Sequence, residues 1–291
     1  MAAKKILVTG ADGQLGRSLQ DFAKENSSFE FIFCNRTRLD ITNEKAIRDT
    51  IHEFHPAYII NTAAYTAVDL AETEKEKAFA VNAQSMVGLG RITKENNIKL
   101  IHISTDYVFN GDAELPYREG DKMEPVSVYG ASKAAGEINA RNENPDAIII
   151  RSSWIYSEYG KNFVKTMMQL MSTREELRVV NDQFGSPTYA GDLAKAIMQI
   201  IKGGIWVGGI YHYTNSGIVT WYEFASAIKE LSKLNCNLIP VSTSEYPTAA
   251  KRPAYSALDN NRINIVFKIA GPDWKTSLAA CIEKLSEKSP H

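Results

Sequence analysis

A phenol and an ammonium stand four residues apart in Ser127-Val128-Tyr129-Gly130-Ala131-Ser132-Lys133. On a helix, positions i and i+4 share a face, with their Cβ atoms about 5–6 Å apart. An ammonium that close favours the phenolate, so Lys133 is expected to lower the pKa of Tyr129 from its ordinary value of about 10. Tyr129 would then give and take a proton near neutral pH. A solvated surface pair meets the same spacing, so the elements around the pair must decide between the two.

The chain opens on Lys5-Ile6-Leu7-Val8-Thr9, a run suited to a strand buried in a parallel sheet. Gly10-Ala11-Asp12-Gly13-Gln14-Leu15-Gly16 follows at once, and Leu15, Leu19, Phe22 and Ala23 then recur at helical spacing. Strand, glycine turn and helix are the setting of a dinucleotide fingerprint. Gly10, Gly13 and Gly16 let the backbone approach a pyrophosphate at the helix N-terminus, where free N–H groups favour an anion. The spacing is Gly-x-x-Gly-x-x-Gly, and a ligand-free turn is the alternative.

A second strand, Phe29-Glu30-Phe31-Ile32-Phe33-Cys34, ends in Asn35-Arg36. An NAD site usually has an acid there for the ribose hydroxyls. With none in the sequence at that point, and an arginine able to pair with a 2′-phosphate, NADPH is favoured and NADH is the second option. A plain surface arginine is the competing reading. Next come a helix over about 43–54, a third strand Tyr58-Ile59-Ile60-Asn61, and the small residues of Thr62-Ala63-Ala64-Tyr65-Thr66. One long helix over about 72–96 precedes a fourth strand, Lys99-Leu100-Ile101-His102-Ile103, which ends in Ser104-Thr105-Asp106-Tyr107-Val108-Phe109. The helix carrying Tyr129 leads to a fifth strand, Ala147-Ile148-Ile149-Ile150. This alternation predicts an α/β fold, a doubly wound Rossmann parallel sheet with right-handed crossovers. Residues 1–154 would form the dinucleotide-binding domain. Residues 155–291, where the rhythm loosens, would form a smaller α/β substrate-binding lobe interleaved with it through a sixth strand at 210–214.

Composition bounds the function. The 291 residues carry 44% hydrophobic and 23% charged residues and a net charge of -1, which argues against neutralising a nucleic acid backbone. Apolar runs fall short of the roughly 20 residues that span a bilayer. The start, Met1-Ala2-Ala3-Lys4-Lys5, has no apolar signal core. Cys34, Cys236 and Cys281 are scattered and read as reduced, mostly buried thiols of a cytoplasmic protein. His52, His55, His102, His212 and His291 give no ligand cluster, and the His52/His55 pair reads as surface; no metal site is expected.

Gly10-x-x-Gly13-x-x-Gly16, Ser104-Thr105 and Tyr129-x-x-x-Lys133 resemble, in order and context, the extended short-chain dehydrogenase/reductases. Ser104–Phe109, Arg151-Ser152-Ser153-Trp154, Asn162–Met167, Asn181–Thr188 and Arg252-Pro253 are similar to the dTDP-4-dehydrorhamnose reductase family within them, from about Lys5 to about Trp274. The resemblance implies reduction of a sugar-nucleotide 4-keto group, the last step of dTDP-L-rhamnose synthesis. It implies that Tyr129 gives a proton to the keto oxygen, that Lys133 tunes Tyr129 and bonds the nicotinamide ribose, and that Thr105 bonds the carbonyl. It places Gly13, Gln14 and Leu15 at the pyrophosphate, Leu39 and Asp40 near the adenine, and Ala63, Ala64 and Tyr65 along the cofactor. Asp106, Trp154 and Arg252 fall at the sugar nucleotide; a core tryptophan and a solvated arginine are the plain readings of the last two.

Two positions depart from the family. Some members use first-helix glutamates to bind Mg2+ at a dimer interface; here that helix reads Arg17-Ser18-Leu19-Gln20, so a metal-bridged dimer is not expected and a monomer or plain homodimer is. The other departure is Asn35-Arg36. Rival readings are an epimerase of the same fold, or a regulatory subunit that binds NADP without turnover. Dehydratases place Thr-Asp-Glu where this chain has Thr105-Asp106-Tyr107, and a tyrosine cannot replace a base with a pKa near 4–5.

Overall fold

Six parallel strands carry the molecule, in the spatial order Gly209–His212, Ile148–Ser152, Lys99–Thr105, Tyr58–Asn61, Lys4–Thr9 and Phe29–Cys34. The computed structural model describes residues 3–26 and 28–287; the readings on Met1, Ala2 and His291 lie outside the described residues. The first half runs β1 (Lys4–Thr9), α1 (Gln14–Glu25), β2 (Phe29–Cys34), α2 (Glu44–Phe54) and β3 (Tyr58–Asn61). Short helices α3 (Val68–Ala71) and α4 (Lys75–Phe79) precede α5 (Ser85–Glu95), β4 (Lys99–Thr105), α6 (Val128–Glu143) and β5 (Ile148–Ser152). Strands buried on both faces explain the apolar runs. Ile6, Val8, Ile60, Ile101 and Ile150 pack toward the α1 side, while Leu7, Ile59, Leu100 and Ile149 pack toward α2 and α5. Strand order reverses between β1 and β3, and a ligand crevice belongs outside the carboxyl ends of the strands there.

The long helix expected over 72–96 runs unbroken over 75–95, but not as α-helix throughout. Between α4 and α5 lies a π-helical turn, Ala80–Gln84. Its wider winding faces Asn82 inward, where Oδ1 accepts from Tyr65 N at 2.8 Å and Nδ2 donates to Tyr65 O at 3.0 Å and Ser132 Oγ at 2.9 Å. One extra residue in the turn thus ties the loop after β3 to α6.

The second half adds β6 (Ile155–Tyr156), α7 (Phe163–Met171), β7 (Glu176–Val180), β8 (Phe184–Gly185), β9 (Thr188–Tyr189) and α8 (Ala190–Lys202). β10 (Gly209–His212) then returns to the main sheet beside β5. β11 (Val219–Thr220), α9 (Trp221–Leu231), β12 (Asn237–Val241), α10 (Asn261–Phe267) and α11 (Trp274–Glu287) complete the chain. α7, α9 and α11 share a core built on Tyr156, Phe224 and Trp274. The three cysteines are buried. Among the described residues no helix is long and apolar enough to cross a membrane.

Candidate active site

One cavity of about 730 Å³ opens at the carboxyl ends of β1, β3, β4 and β5. The β1–α1 turn forms one wall, with Gly10, Gly13, Gln14 and Leu15 on it. Gly10 sits at φ +65°, and a Cβ there would lie 2.7 Å from Ala63 N. Gly16 does a different job: its missing Cβ would meet Gly10 O at 2.5 Å, so it closes the turn onto the helix. Gly13 caps α1 without a side chain, which leaves the first N–H groups of the helix with no side-chain cap. Asn35, Arg36, Leu39 and Asp40 line one end, and Ala63, Ala64 and Tyr65 the side below β3.

Thr105, Asp106, Tyr129, Lys133 and Trp154 line the other end. α6 starts on Ser127, whose Oγ accepts from Gly130 N at 3.2 Å, and this cap fixes the first turn that bears Tyr129. Thr105 Oγ1 donates to Asp106 Oδ1 at 3.0 Å and accepts from Tyr107 N at 3.2 Å. The Tyr107 ring meets Tyr129 edge-on with centroids 5.7 Å apart.

The expected lowering of the Tyr129 pKa is not what this site does. Burial pushes the phenol up to about 12, with a pull down from the Thr105 hydroxyl and a further push from Asp106. The ring keeps some exposure while its hydroxyl end is enclosed. Lys133 is itself 2% exposed, and burial brings it down to about 8 against the opposing pull of Glu137. Its Nζ donates to Ile103 O at 2.7 Å and lies 3.3 Å from His102 Nε2. Desolvation leads both shifts, and each runs toward the neutral form. Asp106 follows the same rule: burial raises its carboxyl to about 6, against the pull of the Ser256 and Thr105 hydroxyls.

A dinucleotide fits these walls. Besides the uncapped helix start and the missing Cβ of Gly10, three buried side-chain oxygens of cavity residues have no partner: Ser104 Oγ, Asp106 Oδ2 and Ser152 Oγ. At the Arg36 end the sequence reading needs correction. Two carboxylates stand there: Asp12 Oδ2 accepts from Asn35 Nδ2 at 3.0 Å, and Asp40 Oδ2 lies 4.0 Å from Arg36 Nε. Asp12 comes from the glycine turn and Asp40 from the loop after β2, so neither is at the strand's end in sequence. Backbone and side-chain hydrogen bonds from Thr42 hold Asp40 below its usual range.

Arg252 is turned to Asp69, with Nη2 2.8 Å from Oδ2 and Nη1 3.2 Å from Oδ1. Trp154, at φ +48°, stacks on Trp221 with centroids 3.4 Å apart and planes 7° apart. Gly185 makes room for it, since a Cβ there would lie 2.6 Å from Trp154 Cε2. Trp221 also lines the cavity, and sequence reasoning missed it. So it missed Ser152 and His102. Trp221 lies far along the chain in a helix start marked only by the Thr220–Glu223 capping box.

A family model of the RmlD substrate binding domain matches residues 4–287. A dTDP-4-dehydrorhamnose reductase of Aggregatibacter actinomycetemcomitans is 43% identical over 285 residues, covering 94% of this chain and 97% of that protein. The spore coat polysaccharide biosynthesis protein SpsK of Bacillus subtilis is 41% identical, covering 98% of each. Among solved structures, a dTDP-4-dehydrorhamnose reductase from Bacillus anthracis in complex with NADP superposes with a TM-score of 0.93 at 38% identity, covering 97% of this chain and 100% of that one.

Proposed function

The chain belongs to the RmlD substrate binding domain family, and on that premise we propose that it reduces the 4-keto group of dTDP-4-dehydro-β-L-rhamnose to dTDP-L-rhamnose with NADPH. The observation that carries this reading is a single cavity bearing the glycine turn at one end and Thr105, Tyr129 and Lys133 at the other. Gly10, Gly13, Gln14 and Leu15 would hold the pyrophosphate, Asn35, Arg36, Leu39 and Asp40 the adenosine end, and Ala63, Ala64 and Tyr65 the stretch between. When bound, the reduced nicotinamide supplies a hydride. Tyr129 donates its phenolic proton to the sugar C4 oxygen as charge develops there, and burial keeps that phenol protonated beforehand. Thr105 orients the carbonyl, and Lys133 positions the ribose. Asp106, Trp154 and Arg252 take the sugar nucleotide.

Residues 1–154 then act as the cofactor domain and 155–291 mainly as the substrate lobe. The protein works in the cytoplasm as a monomer or homodimer. A solved relative's NADP complex supports the phosphorylated cofactor, while Asp12 and Asp40 beside Asn35 and Arg36 leave room for NADH. The test is the purified chain with the 4-keto sugar nucleotide and either cofactor, read by loss of reduced nicotinamide and by a product two hydrogens heavier. An epimerase returns its cofactor and a regulatory subunit consumes none, so absence of net oxidation by the wild type overturns the reading.

A further inference from the structure

A row of buried polar side chains crosses the sheet behind the proposed catalytic lysine. Thr9 on β1, Asn61 on β3 and His102 on β4 are register partners, so their side chains stand next to one another. All are 1% exposed or less. The row ends at Lys133, whose Nζ lies 3.3 Å from His102 Nε2.

Hydrogen-bond direction can be read along this row. The Asn61 amide is oriented by two donors on its oxygen: Thr9 Oγ1 at 2.5 Å and Ala63 N at 3.3 Å. A backbone N–H can only donate, so that atom is Oδ1 and the other is Nδ2. Nδ2 lies 3.0 Å from His102 Nδ1 and 3.2 Å from Met86 Sδ. An amide nitrogen only donates, so His102 Nδ1 accepts and the ring's proton sits on Nε2. That N–H faces Lys133 Nζ. An ammonium has three donors and no acceptor, whereas an amine has a lone pair to receive one. The row is hydrogen-bonded from end to end only when Lys133 is the amine.

We propose that His102 is a positioning residue of the reaction: Asn61 locks it in the tautomer that presents N–H to Lys133, and so it sets both the place and the protonation state of the lysine nitrogen. The proposal rests on the reductase reading for its consequence. In its amine form Lys133 does not pull on Tyr129, whose phenol is raised first of all by burial. The charged groups around the pair fit this picture. Glu137, one turn further along α6, favours the ammonium, but Arg151 of β5 holds its carboxylate through Nε at 2.9 Å and Nη2 at 2.7 Å. Burial keeps His102 itself neutral, and the ammonium form of Lys133 acts in the same direction.

The experiment is nitrogen NMR on the full chain, labelled at histidine ring nitrogens and at the lysine Nζ, with His102→Gln as the assignment control. In the wild type the His102 proton is expected on Nε2 throughout the neutral range. In His102→Gln the amide can turn its carbonyl to the lysine, so the Lys133 titration should rise by about one pH unit, a tenfold change in its protonation ratio. The matching limb of the kcat/KM profile should move the same way. A proton on Nδ1 in the wild type overturns the proposal, and needs no variant to fold. So does an unmoved Lys133 titration in a variant whose circular dichroism matches the wild type. If the wild type fails to consume NADPH, the reductase reading falls while the two NMR answers still stand.

Discussion

Replacing Tyr129 by phenylalanine removes one oxygen from the end of the cavity and leaves the ring in its edge-on contact with Tyr107. If that oxygen supplies the proton, kcat falls by about 10²–10⁴-fold while cofactor affinity stays put; steady-state rates and a cofactor titration check both. Asp106 offers a test through stability. Its folded carboxyl titrates near 6, above the ordinary value near 4, because it is buried with Oδ2 unpartnered. Between those values the folded chain holds a proton that the unfolded chain has lost, so stability falls as pH rises from about 4 to about 6. Asp106→Asn should abolish that slope and gain on the order of 2–3 kcal/mol at pH 7, read from urea melts at several pH values; a wild-type curve flat over that window contradicts it. Tyr129, Lys133 and Thr105 were legible because each sits in a short contiguous motif. The direction of the Tyr129 shift was not, since spacing reports a neighbour and not the water excluded from both. His102 was hidden for another reason: its link to Lys133 runs through strand register, and no local pattern encodes that.

α6 brings Tyr129 and Lys133 to the cavity, and two glycines let it come close. A Cβ on Gly130 would lie 2.1 Å from Tyr107 O, and one on Gly136 2.0 Å from Asn82 O. Both contacts are with backbone, which has little freedom to give way. Alanine at either position should cost about 1–3 kcal/mol of stability by overpacking. Gly130→Ala should also lower kcat, because it moves the turn bearing Tyr129 away from Thr105, whereas Gly136→Ala pushes on the π-helical turn. Urea midpoints with kcat for both variants test this, and a Gly130→Ala enzyme with wild-type midpoint and rate would refute it. At this scale the strands were the readable part, since burial on both faces writes an unbroken apolar run. The π-helical turn inside the expected 72–96 helix was not readable. A single added residue hardly disturbs the helical period, and its purpose is a hydrogen bond from Asn82 to Tyr65 and Ser132, far along the chain.

The two halves of the molecule meet where the loop before α10 reaches back over the first. Ala250 N donates to Asp69 Oδ1 at 3.0 Å, and Arg252 grips the same carboxylate with two nitrogens. Further along, Tyr117 pairs with Leu258 in an isolated bridge. Asp69 is held below its usual range, first by its hydrogen bond with Arg252. The pair is part-exposed, at 23% and 47% for the two side chains, and pairs of that kind are worth about 0–1 kcal/mol to a fold. That small worth makes Arg252 a clean probe. If it takes the diphosphate of the sugar nucleotide, Arg252→Ala loses a charged hydrogen bond of about 1.5–3 kcal/mol and KM for the sugar nucleotide rises about 10- to 100-fold. The KM for NADPH should not change. Asp69→Asn should do the opposite, because an arginine released from its carboxylate no longer has to be won from it, and KM should fall. A purely structural tie predicts something else: both variants lose a little stability and neither changes KM. Running the two variants against both substrates separates these outcomes, since only a phosphate ligand makes the two substitutions move one KM in opposite directions.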